Sequence, residues 1–259
     1  YSVVLYDLMH CDVANCDGNV ELRACIGGAK HVFSISESLE TVAKGLGAKS
    51  VSSIGFFRPP VASLIGSKKT DGSQTIRILV LGNAALGPLS EIGEALSEFD
   101  LSHDNCAIEL NYVGARIVCP DFASLNSVSM IDHGIVSSEL RDEIGVNCDF
   151  AVLAGPANDA RHCPFAKYSI PSKIGDFAAF GLPFIARVSS GSAAHRFIQS
   201  KMSDDALIAE SKKQLAEHLQ WMIKNSARRA SMAQSAVSFA NRAVLLPGAA
   251  SDFRRKVAE

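Results

Sequence analysis

The strongest constraint on the fold is an alternation that occurs twice along the chain. Residues 2–55 read SVVLYDL, NVELRACIGG, HVFSIS, ESLETVAKGLG and SVSSIG, short apolar runs separated by segments with helical periodicity. From Ile76 the series begins again with IRILVLG, PLSEIGEALSEF, AIELNYVG, SVSMIDHG, SSELRDEIG and DFAVLAG. Strands that alternate with helices are joined by crossovers, and crossovers make sheets parallel. The stretch between the two series, FFRPPVASLIGSKKTDGSQT, holds prolines, glycines and polar residues without periodicity, which predicts a linker with a boundary near residues 66–74. The chain therefore reads as two α/β units, and ligands of such sheets bind beyond the carboxyl ends of the strands.

After DFAVLAG the series continues through a strand PFIARV to two long helices, DDALIAESKKQLAEHLQWMIKN and ARRASMAQSAVSFANRAV. The closing LLPGAASDFRRKVAE predicts a turn and a last amphipathic helix, with Arg254, Arg255 and Lys256 on a solvated face. Ser36 is placed to cap the ESLETVAKGLG helix, and Gly45 or Gly47 to end it.

A formal net charge of −2 gives no basic surface for nucleic acid. No run approaches the ~18 apolar residues of a membrane span, and the first residues are not a signal peptide. A soluble, cytoplasmic protein is expected. Because YSVVLYDL is already strand-like at Tyr1, the first part of the N-terminal unit is expected to lie upstream. The seven cysteines are scattered without a paired C-x2-C spacing, so reduced thiols and no metal site are expected.

Several segments carry candidate ligand chemistry. PSKIGDFAAFGLPFIA predicts a helix after Pro171, stopped at Gly181, then a buried strand from Pro183. This puts Asp176 on the helix's first turn, a place that suits a ligand and an ordinary N-terminal carboxylate alike. GNAALG, holding Gly82, Asn83 and Gly87, follows a strand and is expected to open a helix at Pro88. Such a turn fits a phosphate or is simply tight, and it is neither G-x-G-x-x-G nor a P-loop. GSAAHRFI repeats the device with Gly191 and with Ser192 as an N-cap; His195 reads as a surface or partner-helix histidine, having no orienting partner in the sequence. In DARHCPFAKYSIPSK, the basic residues Arg161, His162, Lys167 and Lys173 could neutralise a diphosphate or lie in a solvated loop. His10, after the first strand, either orients a substrate hydroxyl or is packed.

Taken together, the SISES stretch, the linker, LVLGN, NCDFAVLAGP and above all PSKIGDFAAFGLPFIA with GSAAHRFI resemble the family 4 type of nucleotide-sugar glycosyltransferase, which has the GT-B architecture of two Rossmann-like domains. The resemblance implies a bounded organisation: residues 1–66 as the C-terminal part of the acceptor-side domain, 67–240 as a complete nucleotide-sugar-binding domain, and 241–259 as a helix returning to the first. It implies transfer of a sugar from a UDP- or GDP-linked donor to a hydroxyl of a saccharide or lipid-linked acceptor, without cofactor or metal. Bacterial polysaccharide or glycoconjugate synthesis at the inner face of the membrane is the implied setting, with peripheral attachment through the upstream part.

By position in this resemblance, Asp176 takes the place of the carboxylate that holds the ribose hydroxyls, as an ionised acceptor of two adjacent O–H groups can. Tyr168 stands where the better-known form has a further glutamate. The Arg and Lys that clamp the diphosphate are absent from GNAALG, so Lys173, Arg161 and the turns at Gly87 and Gly191 are the expected replacements, with Ser172, Gly82, Asn83 and Ser192 completing the donor site. His10 is the catalytic candidate. A nucleotide-sugar epimerase and a non-catalytic glycosyltransferase-like subunit are the two rival readings.

Overall fold

The computed structural model describes residues 2–5, 20–34, 36–53, 75–82, 86–98, 106–115, 127–154, 168 and 170–244. Strands β1 (Ser2–Leu5), β2 (His31–Ser34) and β3 (Val51–Ser53) form a parallel sheet in that order, connected by α1 (Val20–Gly28) and α2 (Glu37–Gly45). Ser36 caps α2, its side chain accepting from Leu39 N, and the chain leaves the helix through Gly47 at φ 94°. Ile26, Val32, Leu39 and Ala43 are buried between the helices and this sheet.

The second sheet has six parallel strands in the order β6-β5-β4-β7-β8-β9. They are β4 (Thr75–Leu81), β5 (Ala107–Val113), β6 (Val128–Asp132), β7 (Phe150–Ala154), β8 (Phe184–Arg187) and β9 (Ala206–Ala209). The helices are α3 (Leu86–Ser97), α4 (Ser138–Val146), α5 (Lys173–Ala179), α6 (Ala193–Lys201), α7 (Lys212–Lys224) and α8 (Ser226–Val244). The chain winds outward from β4 to β6, then returns to the other side of β4 with β7. That reversal opens a crevice at the carboxyl ends of β4 and β7, the place where open sheets hold ligands.

Both faces of the sheet are covered, which is why its strands read as continuous apolar runs rather than alternating ones. Ile76, Ile78 and Val80 pack against Leu89 and Ile92 of α3 and Leu215 and Leu219 of α7. Leu79 and Leu81 face the opposite layer, with Phe177 of α5, Phe180 at its C-cap, Ile198 of α6 and Phe239 of α8. Phe177 and Phe184 are fully buried with ring centroids 5.5 Å apart, and burial of each contributes on the order of 2–3 kcal/mol.

Two expectations need correction. The segment DDALIAESKKQLAEHLQWMIKN is not one helix: ALIA is the edge strand β9, and α7 starts after Ser211. Ser211 and Gln214 form a capping box, each side chain meeting the other's backbone, so the helix is stopped from running back into the strand. Helix α3 opens at Leu86 rather than Pro88, which puts Gly87 inside its first turn. Proline is tolerated there because the first N–H groups of a helix have no partner within it.

Candidate functional site

The glycine turns that follow β4, β5 and β6 lie side by side and are bonded to one another. Gly82, at φ 96°, donates its N–H to Val113 O at 2.8 Å, and the buried Tyr112 hydroxyl donates to Gly82 O at 2.7 Å. Gly114 donates to Gly134 O at 2.9 Å. A Cβ on Gly114 would overlap Gly82 O and lie 2.6 Å from the Tyr112 hydroxyl, so glycine is required by close approach of backbone. Gly134, at φ 65°, receives the Asp132 carboxylate on its N–H at 2.9 Å.

Helix α5 brings charge to this floor. Its C-terminus is fixed by a Schellman motif: Leu182 N–H reaches Phe177 O at 2.9 Å and Gly181 N–H reaches Ala178 O at 3.0 Å, with Gly181 at φ 64°. Its buried residues Ile174, Phe177 and Ala178 fix its rotation, so Lys173 and Asp176 share one turn on the side away from the core. The end of the Lys173 side chain lies across Gly82, in space that any Cβ at that position would fill. Residues from the two sides of the topological crevice thus meet, one following β7 and the other ending β4. Burial lowers the Lys173 pKa, and the Asp176 carboxylate opposes that shift.

Asp176 is mostly buried and has Arg141 of α4 on its other flank, Nη2 to Oδ1 3.6 Å. Arg141 Nε also stands 3.6 Å from Asp142 Oδ1, yet this buried nitrogen has no hydrogen-bond partner. The result is a row of cation, anion and cation: Lys173, Asp176, Arg141. Beside it, Ile131, Ile135 and Leu140 are exposed large apolar side chains around the loop from β6 to α4.

A second cluster surrounds the start of α6. Ser192 caps the helix, accepting from His195 N at 3.1 Å, and Gly191 before it has φ 69°. His195 Nε2 lies 2.9 Å from Glu210 Oε1, so the histidine does have an orienting partner. Beneath it the buried Arg187 pairs through Nε with Glu91 Oε2 at 2.9 Å and donates through Nη1 to Glu210 O at 2.8 Å. Arg196 donates to Gly191 O and, through Nη2, to Ser38 Oγ at 2.6 Å.

Ser38 belongs to α2, and the neighbouring Ser36 hydroxyl donates to Tyr168 O. Tyr168 itself packs against the Ile26–Leu46 cluster of the three-stranded unit. The start of α2 therefore touches both the approach to α5 and the first turn of α6.

Of the residues singled out from sequence, Lys173, Asp176, Gly82 and Ser172 are close together, although Ser172 makes no side-chain capping bond. Gly191 and Ser192 belong to the separate α6 cluster. His10, Asn83 and Arg161 lie outside the described residues. Arg141 and Glu210 were missed: Arg141 reads as a solvated helix charge, and Glu210 was hidden by the misread strand β9. The capping box at Ser211 was the signal that could have exposed Glu210. Among the described residues no group of three His, Cys, Asp or Glu is placed to hold a metal, and no helix is long and apolar enough to cross a membrane.

No family model and no curated protein matches the chain. Solved structures do match. A UDP-forming α,α-trehalose-phosphate synthase from Burkholderia xenovorans superposes with a TM-score of 0.68 at 9% identity, over 100% of this chain and 68% of that one. Anabaena HepE, solved in complex with UDP and glucose, gives 0.63 at 14% identity over 98% and 71%. TarM gives 0.61 at 8% identity over 92% of this chain and 46% of its own, so the chain spans less than half the length of that relative. The likeness bears out the expected fold, a partial GT-B arrangement of parallel α/β units.

Proposed function

We propose that this chain is the donor-binding portion of a nucleotide-sugar glycosyltransferase that moves a sugar from a UDP- or GDP-linked donor to an acceptor hydroxyl. The observation that carries the reading is the meeting of Lys173 and Gly82 across the crevice, with Asp176 one turn along the same helix. A nucleoside diphosphate presents a partner for each: an anionic diphosphate and a neutral pair of ribose hydroxyls. Lys173 supplies the cation for the first and Asp176 the ionised acceptor for the second. Partial burial strengthens both contacts, because charge is less screened there than in water.

Because GNAALG carries neither the Arg nor the Lys of the family type, Lys173 is the residue assigned to the leaving diphosphate. Arg161 and the turns at Gly87 and Gly191 are the further candidates for the diphosphate, Ser192 for the donor and His10 for catalysis, as the resemblance implies. Catalysis in this reading comes from holding the acceptor hydroxyl against the anomeric carbon and stabilising the charge on the departing diphosphate. The acceptor class, a saccharide or lipid-linked hydroxyl of a glycoconjugate pathway, follows from the resemblance of PSKIGDFAAFGLPFIA and GSAAHRFI to family 4 enzymes.

Isothermal titration of the parent and Asp176→Asn with UDP, GDP, UDP-glucose and UDP-N-acetylglucosamine tests the reading. One nucleotide should bind, and Asp176→Asn should weaken it about ten- to a hundredfold, the worth of a charge-assisted bond, with the fold intact by circular dichroism. Equal binding by both proteins removes Asp176 from the site. Conversion of UDP-N-acetylglucosamine to an epimer without any acceptor would favour the epimerase instead.

A further inference from the structure

A cavity of about 610 Å3 lies between α8 and the turns that lead into β7 and β8. Asp149 immediately precedes β7, so the cavity opens at the amino end of that strand, whereas Lys173 and Gly82 meet at the carboxyl ends. The length of β7, about 16 Å, separates the two places. Buried Val146 and Phe180, the latter at the C-cap of α5, form the apolar floor, and half-buried Ala233 and Val237 of α8 form one wall. Arg229 stands about 12 Å before Val237 along the same helix and puts a cation at one end of the apolar stretch.

Asp149 faces the same cavity, and its charge acts on Arg229, yet no direct ion pair joins the two. Each is tied to backbone elsewhere. Arg229 donates through Nη1 to Met222 O and, at 2.8 Å, to Ile223 O, carbonyls of the last turn of α7. Asp149 Oδ2 accepts from Arg77 N at 2.9 Å. These anchors leave Nη2 of Arg229 and Oδ1 of Asp149 without a hydrogen-bond partner among the described residues. Burial lowers the Arg229 pKa and Asp149 opposes that shift, so the guanidinium is partly desolvated and its charge is less screened than in water.

We propose that this cavity is a binding site for a zwitterionic amino acid with a large apolar side chain. The ligand carboxylate meets the open side of the Arg229 guanidinium, its ammonium meets Asp149 Oδ1, and its side chain lies along Val146, Phe180, Ala233 and Val237. A simple anion would gain Arg229 but meet the Asp149 carboxylate as well, and a simple cation would meet the converse. A ligand that carries both charges on one short head answers both, through charge-assisted hydrogen bonds to groups already held in place. The volume is that of a small-molecule site, in which a mostly apolar lining is combined with a few placed polar groups. None of these residues belongs to the donor site, so the inference stands apart from the donor reading.

Isothermal titration with L-tryptophan, tryptamine and indole-3-propionate tests the site, because the last two each lack one of the charges. Tryptophan should bind at least about tenfold more tightly than either. Asp149→Asn, which keeps an acceptor for Arg77 N, should weaken tryptophan about tenfold and leave indole-3-propionate unchanged or tighter. Ala233→Phe, which puts a ring into the cavity, should abolish binding of all three. Should that variant fail to fold, Val237→Glu gives the same readout by placing a charge in the apolar stretch. The proposal is overturned if the parent does not bind tryptophan, or if either half-analogue binds as tightly. Undiminished tryptophan binding by Asp149→Asn or by the filled cavity overturns it equally.

Discussion

The starts of α5 and α6 look alike in sequence, each a serine before a short apolar helix that follows a strand, yet the fold treats them differently. At α6 Ser192 caps, Arg196 holds Gly191 O and His195 Nε2 meets Glu210, while His195 Nδ1 is buried without a hydrogen-bond partner. At α5 Ser172 adopts helical dihedrals and makes no cap, and the charges around it face across to other elements. Lys173 lies on the turn after β4, and Asp176 stands beside Arg141 without a bond between them. The start of α6 is thus capped from within its own turn, and that of α5 is not.

The contrast makes its largest demand at the glycine turns. Gly114→Ala, on the α5 side, forces a Cβ into the Gly82 carbonyl and should cost roughly 3 kcal/mol by overpacking of backbone. Gly191→Ala, on the α6 side, meets nothing within 4 Å and should cost only the strain of φ 69°, about 1 kcal/mol. Urea denaturation of the two variants measures the difference; equal costs would mean that the laced turns are not close-packed.

The next effect concerns the region just beyond α6. Asp205 is buried, and burial together with Asp204 pushes its carboxyl up to about 6, while Arg242 pulls the other way. A raised carboxyl pKa favours the folded state below the unfolded value and loses that contribution as pH rises through about 6. Asp205→Asn should therefore stabilise the protein by roughly 1–2 kcal/mol at pH 8, and by progressively less toward pH 4. Thermal melts across that range check the sign, and a gain that grows on acidification would contradict it.

The smallest effects lie at the serines themselves. Ser192→Ala should lower stability by about 1 kcal/mol through loss of the cap. Ser172→Ala, with no capping bond to lose, should change it by less than about 0.5 kcal/mol. Chemical denaturation of the pair gives the comparison directly, and a larger cost at Ser172 would show that the two helix starts are built alike.

Much of the fold is legible because the signals are local. The apolar run IRILVLG, the Ser36 cap and the Gly181 stop each depend on neighbours within a turn or two, and all three stand where the sequence puts them. The missed strand β9 failed for the same reason: ALIA is short and runs into a strongly helical segment, so periodicity alone could not divide them. The candidate site was legible in part. PSKIGD names Lys173 and Asp176, but nothing near Arg141 in the sequence marks it as their neighbour.

By itself the sequence determined the parallel α/β layering, the place of the helix that carries Lys173 and Asp176, and the glycines that turn the chain at strand ends. Only the tertiary structure decided that Lys173 crosses to Gly82, that Asp176 faces Arg141, and that His195 is held by Glu210. Periodicity and capping are written over a few residues, whereas the force between charges follows distance in space. Strand order and helix packing set those distances, and neither can be read from spacing along the chain.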